Sequence, residues 1–198
     1  MRPPLLIVGA GGHAQACVDV VEAGGVYQIV GLVGLPEEKG TQVLGHQVIG
    51  DDRELPRLVK KHRKVLVAIG QIKSPQSRIK VFDLLLAMGG DLPNIISPHA
   101  YVSAKAQLGV GSIVMHGATL QAGVRIGKNC IINDHALLDH GVRAGNHCHV
   151  STGVILNGNV QIGEGSFIGS GSVIQEGVVI PPYSIIPMGT IVRRKKAD

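Results

Sequence analysis

The chain is short of aromatic side chains, with no Trp, three Tyr and two Phe among 198 residues. So few rings give successive bases nothing to stack on, which argues against binding of single-stranded nucleic acid. Charge is sparse as well, at 17% against 44% apolar residues, and that balance excludes an intrinsically disordered chain. The formal net charge is +5, but Arg193, Arg194, Lys195 and Lys196 place four positives at the very end, and no basic stripe accompanies them. That tail reads as a solvated terminus, with attraction for phosphate-bearing ligands as the functional alternative. Cys17, Cys130 and Cys148 form no C-x-x-C pair, a pattern of buried thiols in a reducing compartment. No run approaches the roughly 18 apolar residues of a membrane span, and the stretch after Met1 is too short for a signal peptide. A soluble cytoplasmic protein is expected. Glycine, by contrast, is plentiful at 28 residues, yet no Gly-X-Y period points to collagen.

The first half alternates strand and helix patterns. Residues 5–9 form a short apolar run ending at Gly9, as a buried parallel strand does, and a helical pattern follows through Ala16, Val20 and Val21 to Gly24-Gly25. Residues 28–33 and 64–69 read as further strands. Helices are expected from the acidic start Asp51-Asp52-Arg53-Glu54 and over residues 74–88. This alternation implies a parallel sheet with its ligands at the carboxyl ends of the strands. Gly9, Gly11 and Ala14 fit G-x-G-x-x-A, a turn that lets backbone approach a phosphate at a helix N-terminus. A dinucleotide site adds an acid about 20 residues on. Here the second strand ends at Val33-Gly34, and Glu37 and Glu38 fall in the loop beyond. A nucleotide or other phosphate ligand is therefore favoured over a nicotinamide dinucleotide, with a structural turn as the remaining reading.

The second half repeats every six residues. From Val102 to Val192 each sixth residue is apolar, and the fifth position of each hexad, from Ala106 to Thr190, is Ala, Ser, Val, Cys or Thr. This pattern suits a triangular β-solenoid in which each hexad is one side and 18 residues make a coil. Fifteen hexads give five coils, each adding about 4.8 Å of height. Cys130 and Cys148 then stack in adjacent coils as small buried side chains. Outer positions 18 apart share a column: His140 lies between Ala122 and Gly158, in a cleared space. Asn133, Asp134, His135, Asp139, His140, His147 and His149 crowd one coil, marking the candidate active site.

The chain resembles the sialic-acid-O-acetyltransferase-like and bacillosamine-pathway sugar acetyltransferases of the left-handed β-helix superfamily. The landmarks are Ile7-Val8-Gly9-Ala10-Gly11-Gly12-His13, Val67-Ala68-Ile69-Gly70, Ile96-Ser97-Pro98-His99-Ala100, Ile132-Asn133 and Leu138-Asp139-His140. The resemblance implies a Rossmann-like nucleotide-sugar-binding domain over residues 1–97 and a left-handed parallel β-helix over 98–198. It also implies a homotrimer with active sites between subunits, and acetyl transfer from acetyl-CoA to the amino group of a nucleotide-linked sugar for surface glycan synthesis. His140 is then the general base, with Asp139 and Asn133 as further catalytic candidates. His149, Gly158, Ser170 and Met188 align with coenzyme contacts, and Gly11, Gly12, His13 and Gly70 with nucleotide-sugar contacts; no metal is expected.

The chain also departs from its relatives. Gly141 stands where some of them carry a carboxylate after the catalytic histidine, and Asp139 points to the opposite face from its neighbour. Val33-Gly34 replaces an acidic pair, and the usual Gly-x-Pro-Ala-Lys ending is missing, so Arg193 to Lys196 become candidates for the CoA phosphates. Three alternatives stay open: O-acetylation of a sugar hydroxyl, a zinc lyase of the γ-carbonic-anhydrase type using His135, His140, His116 and His147, and a non-catalytic nucleotide-sugar-binding scaffold.

Overall fold

The computed structural model describes residues 1–194. It divides into two compact units, one of Met1–Gly70 with Gln76–Pro98 and one of Gln71–Pro75 with the chain from His99 onward. Among the described residues no helix is long and apolar enough to cross a membrane.

The first unit is an open α/β sheet. Its strands are β1 (Pro4–Val8), β2 (Gln28–Val33), β3 (Gln42–Val43), β4 (His46–Gly50) and β5 (Val65–Val67), in the order β3-β4-β2-β1-β5. Leu5, Leu6 and Ile7 have no exposed surface, as both faces of a parallel sheet are covered. The helices are α1 (Gly12–Gly24), α2 (Leu55–His62) and α3 (Gln76–Ala87). α1 stops at Gly25, whose left-handed φ of 62° lets its N–H reach back to the Val21 and Glu22 carbonyls.

Two local features differ from the sequence reading. Residues 42–50 form a hairpin, β3 antiparallel to β4, turning on Leu44 and Gly45 at φ 46° and 82°. A leucine at positive φ is an unusual turn residue, so the usual hairpin signal is absent. The acidic segment Asp51–Glu54 precedes α2 rather than opening it. The Asp51 N–H donates to Glu54 Oε2 at 2.8 Å, and Arg53 donates N–H to Asp51 Oδ1 at 2.9 Å. The Arg53 guanidinium also donates to the Asp51 carboxylate, and this contact first, then the Arg53 backbone N–H, hold the Asp51 carboxyl down at about 2.

The second unit is a parallel β-helix. Two-residue strands recur every six residues from Tyr101–Val102 to Ile191–Val192, and each pairs in parallel with the strand 18 residues on. We call the side carrying Leu137–Leu138 the first face, that of Arg143–Ala144 the second and that of His149–Val150 the third. The first hexad residue of each strand points inward, and Leu120, Leu138, Leu156 and Ile174 stack in one fully buried column. Residues at the fifth position, such as Ala136, Cys130 and Val154, fill the interior beside them. Cys130 and Cys148 lie in neighbouring coils, their Sγ atoms 3.2 Å from the Gly145 and Gly163 carbonyls. Contact with Cys130 and burial push the Cys148 thiol up, which keeps it protonated.

The corners explain the solenoid's glycines. Nine at the fourth hexad position, from Gly111 to Gly189, hold φ between 63° and 78°, where glycine has no steric penalty. Asn129, His135, His147, Asn159 and Tyr183 occupy the same position at φ 52–59°. Gly109, Gly127, Gly145, Gly163 and Gly169, at the second position, serve a different end. A Cβ on any of them would lie 2.3–2.7 Å from backbone of the adjacent coil. The fourth position needs a backbone angle; the second needs space.

Candidate active site

His140 stands exposed on the corner between the first and second faces. Its ring lies over Gly158, one coil on: a Cβ there would meet His140 Nε2 at 2.5 Å and Cε1 at 2.6 Å. Gly158 does not have positive φ, so its missing side chain makes room for the imidazole and not for a turn. Asp139 directs Oδ1 to the backbone N–H of His140 at 2.6 Å, which fixes the corner and leaves the ring to other partners. Asn159 Oδ1 fills the space over Gly141 into which a side chain at that position would project.

The polar residues expected to crowd one coil do share it, but they are spread around the triangle. Asn133, Asp134 and His135 sit on the corner between the third and first faces, His147 on the corner between the second and third, and His149 on the third face. Asn133 Oδ1 accepts from the Asp134 N–H at 2.9 Å, and Asp134 Oδ1 from the His116 N–H at 3.0 Å. His147 is buried, its Nδ1 accepting from Asn129 at 2.9 Å. Among the described residues no three His, Cys, Asp or Glu side chains gather as a metal-ligating group.

His149 is buried beneath the Gln71–Pro75 segment of the same unit. Its Nδ1 donates to the Gln71 carbonyl at 2.6 Å, and its ring meets the Phe167 edge at 5.1 Å. A carbonyl only accepts, so the proton is on Nδ1. Gln71 in turn donates its side-chain amide to the Gly165 carbonyl at 3.0 Å. Ser170 and Met188 share the corner between the third and first faces with Asn133. Ser170 Oγ lies 2.8 Å from Ser151 Oγ, and Met188 is 78% exposed. The chain therefore brings His140, Asp139 and Gly158 together, and holds Ser170, Met188 and Asn133 a third of a turn away.

The second hexad position carries functional candidates of its own, which the third position does not show. Asp139, Asn157, Gln175 and Arg193 form a polar column beside the His140 column. Beyond Gly158 on that corner, Asn157, Val173, Gln175, Glu176, Ile191 and Arg193 line a surface cleft of about 300 Å³. Arg193, the first residue of the basic tail, is thus at this cleft; Lys195 and Lys196 lie outside the described residues.

In the α/β unit the chain reverses at the end of β1, which lies between β2 and β5. The Gly9 N–H donates to the Val33 carbonyl and the Ala68 N–H to the Val8 carbonyl, both at 2.8 Å. Gly9 has φ +121°, and a Cβ there would lie 2.6 Å from the Ala68 carbonyl oxygen, so the fold itself demands glycine. Gly11 and Gly12, at the start of α1, are different. Both are exposed, neither has positive φ, and a Cβ on either would meet nothing within 4 Å. No side chain caps this helix end. His13 follows, its Nε2 3.5 Å from Cys17 Sγ and its Cβ beside Gly70. Burial, and then the cation of the buried Arg78, bring the His13 ring down to about 4. It is a neutral imidazole at neutral pH.

An open α/β sheet followed by a six-residue-repeat parallel β-helix, with a lone histidine on a cleared corner, defines a two-domain protein of the hexapeptide-repeat acyltransferase class. Residues 4–85 match the PglD N-terminal domain family, and residues 122–157 and 159–194 the hexapeptide repeat of succinyl-transferase. PerB from Caulobacter crescentus, solved in complex with CoA and GDP-perosamine, is 34% identical. That match covers 98% of this chain and 90% of PerB, at a TM-score of 0.90. The acetyltransferase domain of PglB from Neisseria gonorrhoeae is 30% identical over 100% of this chain and 94% of its own, at a TM-score of 0.89. The same domain has been solved with acetyl coenzyme A. No curated protein sequence matches significantly. The chain belongs to the bacterial sugar acetyltransferases of the left-handed β-helix superfamily.

Proposed function

We propose that the protein transfers the acetyl group of acetyl-CoA to the amino group of a nucleotide-linked amino sugar, with His140 as general base. The observation that carries this reading is the His140 ring lying exposed over Gly158, in a chain 34% identical to an enzyme solved with CoA and GDP-perosamine. A His-to-Asn variant of perosamine N-acetyltransferase from Caulobacter crescentus was also solved with both ligands. The amine lone pair attacks the thioester carbonyl while a neutral imidazole takes the proton released from nitrogen. A tetrahedral oxyanion forms, stabilised by a hydrogen-bond donor. Its collapse breaks the C–S bond, and the proton passes from His140 to the departing CoA thiolate.

The two units divide the substrates in this proposal. The open backbone at Gly11 and Gly12, with His13 and Gly70 beside it, binds the pyrophosphate side of the nucleotide sugar. Gly158, His149, Ser170 and Met188 serve the coenzyme, and Asn133 assists at the acetyl-transfer site. Because Ser170 and Met188 lie on a different corner from His140, a complete site draws on two subunits. We therefore propose a homotrimer, located in the cytoplasm. Residues 1–97 and 98–198 are the corresponding functional domains.

Thiol release across UDP-, GDP- and dTDP-linked amino sugars tests the reading, with wild type and His140→Ala side by side. The variant should lose about a hundred- to ten-thousand-fold in kcat; undiminished turnover removes His140 as the base. Light scattering tests the trimer, and a monomeric mass overturns the shared site.

A further inference from the structure

The second strand of the α/β sheet ends in Val33-Gly34, without the acid that dinucleotide-binding sheets place there to hold ribose. The structure supplies one from elsewhere. A single 3-10 turn, Pro36–Glu38, swings the chain back. Its last side chain, Glu38, lies over the end of β2, where Oε2 accepts from the Leu35 N–H at 2.7 Å. A Cβ built on Gly34 would lie 2.6 Å from Glu38 Oε2 and 2.9 Å from the Cβ of Ala10. The carboxylate therefore occupies the space a strand-end side chain would take, directly beside the glycine loop. Glu38 is only partly buried, and its Oε1 makes no hydrogen bond to any described residue.

We propose that Glu38 is the carboxylate that holds the ribose of the nucleotide, selecting ribonucleotide-linked over 2′-deoxyribonucleotide-linked sugars. The proposal rests on the nucleotide-sugar reading above and adds the residue that discriminates within it. The reasoning is one of reach. With the pyrophosphate against the backbone at Gly11 and Gly12, the next group along the nucleotide is the ribose. Ala10 and Glu38 flank that point. Ribose hydroxyls donate, and a carboxylate is the strongest common acceptor for them. Gly34 and Glu38 form a matched pair, since an acid at residue 34 would collide with the carboxylate already there. Sequence spacing hid this arrangement, because Glu38 lies five residues past the end of β2 and only the turn returns it.

Calorimetric titration of UDP and GDP, each against its 2′-deoxy counterpart, tests the idea with wild type, Glu38→Ala and Glu38→Gln. A hydrogen bond to a charged group corresponds to about 10- to 100-fold in affinity, so wild type should favour the ribonucleotide by that factor. Glu38→Ala should bind both forms equally, at the 2′-deoxy level, and Glu38→Gln should fall between. If Glu38 serves only to tie its own turn through Leu35, the ratio between ribo and deoxy forms stays as in wild type, and the proposal fails. Wild type without any ribo preference overturns it equally. Wild type that binds none of these nucleotides overturns the nucleotide-sugar reading, and Glu38 with it. Thermal melting of both variants, with unchanged KM for acetyl-CoA, separates lost recognition from lost folding.

Discussion

Glycine answers to opposite demands in the two units. In the β-helix nearly every glycine has an internal reason, either a left-handed corner or a neighbouring coil too close for a Cβ. In the α/β unit Gly9 is of that kind, but among the described residues Gly11 and Gly12 meet neither a positive φ nor a neighbour too close for a Cβ. Gly158 is the β-helix counterpart: it lacks positive φ, and the space it leaves is taken by the His140 ring. A glycine the fold does not require is informative, because something outside the backbone must account for it. Gly11, Gly12 and Gly158 are therefore the glycines to test for a role outside the backbone.

Substitutions can break this contrast, and the largest effect belongs to the solenoid. Gly127→Ala places a methyl 2.6 Å from the Asn146 backbone nitrogen, and should cost about 3 kcal/mol in urea unfolding, as overpacking against rigid backbone does. A cost under about 0.5 kcal/mol would mean that adjacent coils separate easily. Acidification probes the α/β unit. The folded-state pKa of His13 is about 4, below the unfolded value, so the unfolded chain binds more protons between the two. Stability should fall as pH drops from about 6.5 towards 4, by at most about 3 kcal/mol. His13→Gln should flatten that part of the profile, and an unchanged slope would assign the acid sensitivity elsewhere.

Gly158→Ala is expected to be smaller still in free energy but visible in activity. Its methyl meets only a side chain able to rotate away, so melting should barely move while kcat drops about 10- to 100-fold. Equal losses of stability and activity would make Gly158 a packing residue. Gly11→Ala should be the mildest for folding, within about 0.5 kcal/mol, yet should raise KM for the nucleotide sugar and leave that for acetyl-CoA unchanged. If neither KM moves, the open backbone at Gly11 has no ligand.

How far the sequence could be read follows from where regularity resides. The β-helix was legible almost to the residue, because inward and outward positions repeat with a fixed period; His140 over Gly158 came from counting by 18. Counting only the third hexad position, however, passed over Asn157, Gln175 and Arg193 in the adjacent column. Spreading the polar residues around three corners also required the triangle and not the coil alone. In the α/β unit the strands β1, β2 and β5 announced themselves by apolar runs. The hairpin at residues 42–50 did not, since Leu44 at positive φ carries no turn signature. Glu38 was visible as a residue but not as a neighbour of Gly34, because a turn of three residues reverses what spacing implies.

The Gln71–Pro75 segment limits where the chain can be cut. In space it belongs with the β-helix, although in sequence it interrupts the α/β unit between β5 and α3. Its Gln71 carbonyl accepts a hydrogen bond from the His149 Nδ1–H, and its Gln71 amide donates to the Gly165 carbonyl. A gene fragment starting near residue 98 would encode the full repeat array and still omit the partner of a buried imidazole. A single crossover near residue 98 leaves that loop with the α/β half and separates it from the β-helix it contacts. In a chimera joined there the backbone carbonyl facing His149 comes from one parent and the imidazole from the other, and the amide tie to the Gly165 carbonyl survives only where the first parent also carries glutamine at residue 71.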